Sequence, residues 1–137
     1  MILIDSTPLV ALCDRKDALH LRAVRDLDRL ARQRFVVSDA VLAEALHLLP
    51  EEPSRLRLAH LVASLPIGVL RDEHPDESRI EAFRWLAQYA EHKPDWADAT
   101  LVIASSKDKK VRVWTYDSEF KTTWRRPNGT RVPLADR

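Results

Sequence analysis

Four acidic residues, Asp5, Glu44, Asp98 and Asp117, stand in stretches of sequence where a solvated charge has no obvious use. Asp5 ends the run MILI, and Asp117 follows VRVWTY. Asp98 opens the apolar stretch ATLVIAS, and Glu44 lies inside VLAEALHLL. A carboxylate in such company is costly to bury unless something neutralises it. Four of them in one place repel one another and resist ionisation. A divalent cation removes that conflict, and hard Mg²⁺ or Mn²⁺ prefers carboxylate oxygens and keeps several waters. A site of this kind suits phosphodiester hydrolysis, where the ion activates a water and stabilises charge on the phosphoryl oxygens. The spacing leaves open whether one ion or two bind.

The elements that must bring these acids together are legible in the apolar patterning. Met1–Ile4 reads as a short buried strand. Pro8 suits the first turn of a helix capped by Ser6 or Thr7. A second helix is predicted from Asp17 to Gln33, with Leu19, Ala23, Leu27, Leu30 and Ala31 at helical spacing. Phe35–Val37 is a second strand, and Ser38 caps a helix that runs to Leu49 and ends at Pro50 and Pro53. Ser54–Ser64 is helical, and Pro66–Leu70 is a strand with Ile67 and Val69 on one side. His74–Glu91 is helical, with Ile80, Phe83, Leu86, Ala87 and Ala90 inward. Pro94 interrupts the chain before an apolar helix over Asp95–Ser106. Val111–Thr115 is a strand, and Asp117–Phe120 a short turn or helix. Asn128-Gly129 signals a hairpin turn, and Arg131–Leu134 an edge strand, since Pro133 cannot donate to a ladder. This alternation predicts an α/β fold, a mostly parallel sheet with helices on both faces. In such sheets sites form at the carboxyl ends of strands. Asp5 and Asp117 lie there, and Asp98 lies in the first turn of a helix.

Taken singly, each acid has a structural role open to it. Asp5 could cap the turn through Ser6 and Thr7, Asp117 could start a turn, and Glu44 could face solvent at its helix edge. Asp95, three residues before Asp98, reads as a helix N-cap in preference to a ligand. Asp98 itself would favour the helix dipole. It is the four together, at positions that match one pocket, that point to a site.

Length, composition and charge exclude other classes. A chain of 137 residues, 45% hydrophobic and 31% charged, predicts one domain over residues 1–137. With 2 glycines, Gly68 and Gly129, no glycine-rich phosphate cradle is available. The lone Cys13 rules out an internal disulfide or a Cys-based zinc cluster and agrees with a reducing cytoplasm. The opening MILIDSTPLVALCDRKD does not read as a signal peptide, and no apolar run is long enough to span a membrane. The net charge of +1 hides an asymmetry: residues 107–137 hold nine Lys/Arg against four Asp/Glu. A basic end beside an acidic body is compatible with a polyanion partner and a separate cation site.

These motifs resemble the PIN-domain ribonucleases, specifically the VapC-like toxins of type II toxin–antitoxin pairs, over nearly the whole chain. IDSTPLVALCDRKDALH is similar to the family's opening strand, first acid and helix, and VLAEALHLL to its second acidic helix. PDWADATLVIAS resembles the third acidic motif and VWTYDSEF the closing strand with its T-x-D-x-x-F element; these two are the most specific. WRRPNGTRVPL resembles the terminal hairpin. The resemblance implies that Asp5, Glu44, Asp98 and Asp117 form the quartet that holds Mg²⁺ or Mn²⁺. It matches Asp95 to a frequent accessory acid, and Ser6 and Thr115 to hydroxyls that orient carboxylates or waters. It implies an RNA endonuclease, an antitoxin that blocks the site, and a homodimer. Which RNA is cut is not readable from the motifs.

Outside the quartet, His20 reads as a structural histidine, and His47, one turn after Glu44, as a possible neighbour of the site. Arg22, Arg25, Arg29 and Arg32 recur along one helix side and could contact phosphates; with Asp26 and Asp28 interleaved, a solvated face is slightly favoured. Lys121, Arg125 and Arg126 with Trp124 are the better RNA candidates, because an aromatic among cations can stack on a base. A core or dimer role for Trp124 is an equal alternative. Trp85 and Trp114 read as core, and Trp96 as a residue bordering the pocket. Two other functional classes compete. One is a non-catalytic RNA- or protein-binding module on the same fold, which would have no need of four repelling acids. The other is a different carboxylate-dependent phosphohydrolase, or an aspartyl-phosphate receiver with Asp5 as nucleophile, against which the lysines at 107–110 lie away from any strand-end motif.

Overall fold

The computed structural model describes residues 1–135; Asp136 and Arg137, counted above in the basic end, lie outside the described residues. Four short strands form one sheet in the order β3-β2-β1-β4, with every pairing parallel. They are β1 (Ile2–Ile4), β2 (Phe35–Val37), β3 (Gly68–Val69) and β4 (Arg112–Trp114). The helices are α1 (Ser6–Cys13), α2 (His20–Leu30), α3 (Asp39–Leu48), α4 (Glu52–Ser64), α5 (Pro75–Gln88), α6 (Trp96–Lys107) and α7 (Glu119–Thr122), with a 3₁₀ turn at Ala90–His92. The predicted mostly parallel α/β architecture is the one found. No described helix is long and apolar enough to cross a membrane.

The central strands show why they pair as they do. Ile2, Leu3 and Ile4 are all buried, as are Phe35, Val36 and Val37. A strand covered on both faces carries an unbroken apolar run in place of an alternating one. The chain passes β1 to β2 to β3 in one direction, then returns across the sheet to β4 on the other side of β1. Right-handed crossovers therefore put α1–α4 on one face and α5–α6 on the other. In the packing, α1 rests on α2, α3 and α4, α5 rests on α6, and α3 also meets α6. Strand order reverses between β1 and β4, and in open parallel sheets the crevice outside the carboxyl ends at such a reversal is where ligands bind. Asp5 and Asp117 flank that crevice.

Several local expectations are corrected. Asp5 itself, not Ser6 or Thr7, is the N-cap of α1: its backbone is extended (φ −83°, ψ 169°) and its side chain accepts from the Ser6 amide. Pro53 does not end a helix but sits in the first turn of α4, where its missing N–H costs nothing. Ile67 is buried but Val69 is 62% exposed, because β3 is a two-residue edge strand. On α5 the expected inward face is found only in part: Leu86 packs on the core, but Ile80 (54%), Phe83 (60%), Ala87 and, just past the helix, Ala90 are exposed, and Ala82 and Trp85 are buried instead. Arg131–Leu134 forms no strand; Leu134 makes a single parallel bridge to Val113, and Arg131 a single antiparallel one to Arg125. The hairpin turn is present, with Gly129 at φ 83°, a conformation that favours glycine.

Candidate active site

Asp5 is 3% exposed and fully engaged. One oxygen, Oδ1, accepts from the Ser6 amide at 2.7 Å and from the Ser6 hydroxyl at 3.5 Å. The other, Oδ2, accepts from Thr115 Oγ1 at 2.7 Å. The Asp5 amide donates to the Trp114 carbonyl across the β1–β4 pair at 2.9 Å, so the two strand ends are locked in register. Thr115 in turn accepts the Asp117 amide at 3.0 Å, and Asp117 Oδ1 accepts the Glu119 amide at 3.0 Å, starting the turn into α7. The Thr115 hydroxyl and the Ser6 amide thus orient Asp5 directly, with the Ser6 hydroxyl shared between Asp5 and Glu44. Thr7, read in the sequence only as a possible cap, belongs with them: its Oγ1 lies 3.5 Å from Thr115 Oγ1 and accepts the Tyr116 amide at 2.9 Å.

The other acids arrive on helices. Asp95 is the N-cap of α6, accepting the Asp98 amide at 2.8 Å, while Asp98 Oδ2 accepts the Asp95 amide at 3.0 Å. This reciprocal box satisfies two donors that a helix start leaves open and aligns both acids at one helix end. Glu44 is half-buried in the middle of α3, a helix that packs against both α1 and α6.

Electrostatics tie the acids into one cluster. Burial pushes Asp5 up to about 6, opposed by its bonds from Thr115 and Ser6 and reinforced by Asp117 and Asp95. Burial pushes Asp98 up to about 8; the Asp95 amide opposes the rise, and the charges of Asp95, Asp5 and Asp117 add to it. Glu44 rises to about 7 through burial and the Asp95 charge, with the Ser6 hydroxyl pulling it back and Asp5 adding to the rise. Acids from β1, α3, α6 and the turn after β4 therefore share one field. They are not drawn into a closed cage: among the described residues no three His, Cys, Asp or Glu side chains are gathered as ready ligands. The donor chemistry nonetheless fits a hard divalent ion. Every donor is an oxygen, the acids mutually disfavour their charged forms, and Mg²⁺ is commonly held by one or two carboxylates with the remaining positions filled by water.

The remaining candidates separate cleanly. Trp124 is 2% exposed, with Trp85, Tyr89 and His92 around its ring at 5.2, 5.5 and 6.1 Å. It is a core residue, as one of its two readings had it, and it cannot stack on a base; Trp85 on α5, Tyr89 and His92 surround the ring. Trp124→Ala is accordingly expected to cost ~3–5 kcal/mol of stability, seen as a large drop in melting temperature, whereas Lys121→Ala, at an exposed position, leaves the melt unchanged. Arg126 is partly committed, donating to the Ser105 carbonyl at 3.1 Å and to Thr130 Oγ1 at 2.8 Å. Arg125 is half-buried. Trp85 and Trp114 are core. Trp96 meets Phe83 at a tilted angle (5.1 Å) and borders a cavity of about 310 Å³ with Ser38, Asp39 and Arg79, a cavity that none of the four acids lines. His20 Nδ1 contacts the Ala11 carbonyl at 2.7 Å, a structural tie between α1 and α2, and His47 is exposed in the last turn of α3. Within the arginine row, Arg22 and Arg29 both pair with Asp26.

A four-stranded parallel sheet with an acid-lined crevice at its β1–β4 reversal defines an α/β domain with a candidate site at the carboxyl ends of its strands. The PIN domain model matches residues 2–124, and the chain belongs to that family. Among solved structures it is similar to Mycobacterium tuberculosis VapC20, described as a "Sarcin-Ricin loop cleaving toxin". The TM-score is 0.73 at 23% identity, over 88% of this chain and 93% of that one. No curated protein sequence matches the chain.

Proposed function

We propose that this chain, as a single PIN unit over residues 1–137, is a Mg²⁺- or Mn²⁺-dependent endoribonuclease acting as the toxin of a toxin–antitoxin pair in the cytoplasm. The observation that carries the reading is the Asp5–Thr115–Asp117 hydrogen-bond chain at the strand-order reversal, facing acids whose ionisation is mutually disfavoured. Asp5, Asp98 and Asp117 would hold the ion, directly or through water, and Glu44 would complete the set. A bound ion supplies Lewis-acid stabilisation of charge on the scissile phosphodiester. The bonds from Ser6 and Thr115 aim Asp5 and offset part of the rise that burial imposes. Asp95 fixes the rotamer of Asp98 through the capping box. Alternatively, Glu44 would orient the attacking water beside the ion. Lys121, Arg125 and Arg126, directly after Asp117, are the proposed phosphate contacts; Trp124 is withdrawn from that set. RNA is the substrate class. A homodimer and a cognate antitoxin that covers the acids complete the reading.

Metal dependence is the feature to test. With purified chain and structured RNA, chelation is expected to stop cleavage and Mn²⁺ addition to restore it, while K⁺ or Ca²⁺ at equal ionic strength does not. RNA binding that persists under chelation with no product in any metal would favour a binding module instead. Hydrolysis of a simple phosphate monoester, without RNA cleavage, would favour a phosphatase.

A further inference from the structure

Tyr116 lies outside the acid cluster, yet it is the residue between Thr115 and Asp117. Its side chain meets partners other than the Asp5 carboxylate that Thr115 bonds. Its hydroxyl donates to Asp26 Oδ2 on α2 at 2.7 Å and accepts from Trp114 Nε1 at 3.1 Å. The Arg22 guanidinium lies 4.8 Å from the ring centroid. Asp26 is itself held by Arg22 at 3.9 Å and Arg29 at 3.6 Å, and Arg29 also donates to the Ala135 carbonyl at 2.9 Å. The Tyr116 amide donates to Thr7 Oγ1 at 2.9 Å. The residue is therefore tied to α1 through its backbone and to α2 through its side chain. A short hydrogen bond to a carboxylate is about twice as strong as a neutral one, and placement errors near 1 Å can cost ~10²-fold in rate.

We propose that Tyr116 is a positioning residue: its hydroxyl, clamped to Asp26, holds the 115–117 turn so that Thr115 and Asp117 stay aligned on Asp5. The proposal rests on the metal-site reading above, because its consequence is metal affinity. It also explains why α2 bears an acid among its arginines: Asp26 is the anchor of the latch.

The test uses the full chain and Mn²⁺ as probe. Tyr116→Phe keeps the ring, its packing on Trp114 and the Arg22 contact, and removes only the hydroxyl. Mn²⁺ affinity, read by electron paramagnetic resonance, is expected to weaken ~10-fold, with kcat falling in parallel and KM for RNA unchanged. Hydrogen exchange at the Asp117 and Glu119 amides should accelerate about 5-fold. Asp26→Asn retains an acceptor and should keep near-wild-type Mn²⁺ affinity; Asp26→Ala should match Tyr116→Phe, and the double variant should be no weaker than either single one. Unchanged Mn²⁺ affinity in Tyr116→Phe, or additive losses in the double variant, would overturn the proposal, as a merely structural role would lower the melting temperature alone. If Tyr116→Phe does not fold, the Asp26→Asn and Asp26→Ala pair decides by the same affinities. Should wild-type chain neither bind Mn²⁺ nor cut RNA, the nuclease reading fails, and amide exchange alone then judges the latch: no acceleration overturns it.

Discussion

Asp98→Asn is expected to lower RNA cleavage by on the order of 10³-fold, a loss of about 4 kcal/mol of transition-state stabilisation, and at the same time to raise the melting temperature of the metal-free chain. The two effects have one origin. Asp98 is raised to about 8 by burial and by the charges of Asp95, Asp5 and Asp117, so at neutral pH the fold carries an acid that its surroundings disfavour in charged form. Asparagine keeps an oxygen to accept the Asp95 amide, preserving the capping box, and removes the repulsion. Because Asp98 is only half-buried, the stabilisation is discounted for solvent screening to about 1 kcal/mol, a few degrees in a chain of this size. A site that weakens the fold in order to bind an ion is the usual trade between stability and activity. Loss of activity with loss of stability would mean that Asp98 is simply a helix cap.

The second large effect is an inverted pH dependence of stability without metal. Asp5, Glu44 and Asp98 all have folded values above their ordinary ones, at about 6, 7 and 8. The folded chain thus binds more protons than the unfolded chain across the window from about pH 4 to pH 8, and stability must fall as pH rises through it. The stabilisation from the neutral acids is complete below their unfolded values and is lost as pH passes 6 to 8. For Asp5, the most buried of the three, a rise from 3.8 to about 6 corresponds to ~3 kcal/mol. With chelator present, the melting temperature at pH 8.5 is expected to lie on the order of 10 °C below that at pH 5.5. Mg²⁺ should recover the difference at pH 8.5 and change little at pH 5.5, since ligation requires ionised carboxylates. A chelated melt that is flat, or that rises with pH, would show that the acids do not share a field.

Much of this was legible in the residues. β1 and β2 are apolar runs ended by turn-forming polar residues, and the acids at strand ends and at the start of α6 follow from where sites form in parallel sheets. Asp95 was readable as a cap because its spacing to Asp98 is that of a capping box. What could not be read was the choice among equivalent apolar faces. On α5, Ile80 with Phe83 and Ala82 with Trp85 both fit a helical stripe; partners remote in sequence, α6 and Trp124, lie against the second. The same packing buries Trp124 and leaves it no exposed face to offer a ligand. The cap of α1 was misplaced by one residue because Asp5, Ser6 and Thr7 are all good caps, and the extended backbone at Asp5 decides. Thr7 and Tyr116 left no sequence signal, since their partners lie 109 and 90 residues away.

The central claim, that this acidic cluster with a divalent ion is a ribonuclease site, is tested most directly by timing RNA cleavage by antitoxin-free chain in Mn²⁺ beside Asp98→Asn prepared identically. Discrete products from the wild type alone, which stop forming on chelation, are the predicted result. Equal cleavage by both proteins, or no cleavage by a wild type that demonstrably binds Mn²⁺, would contradict it.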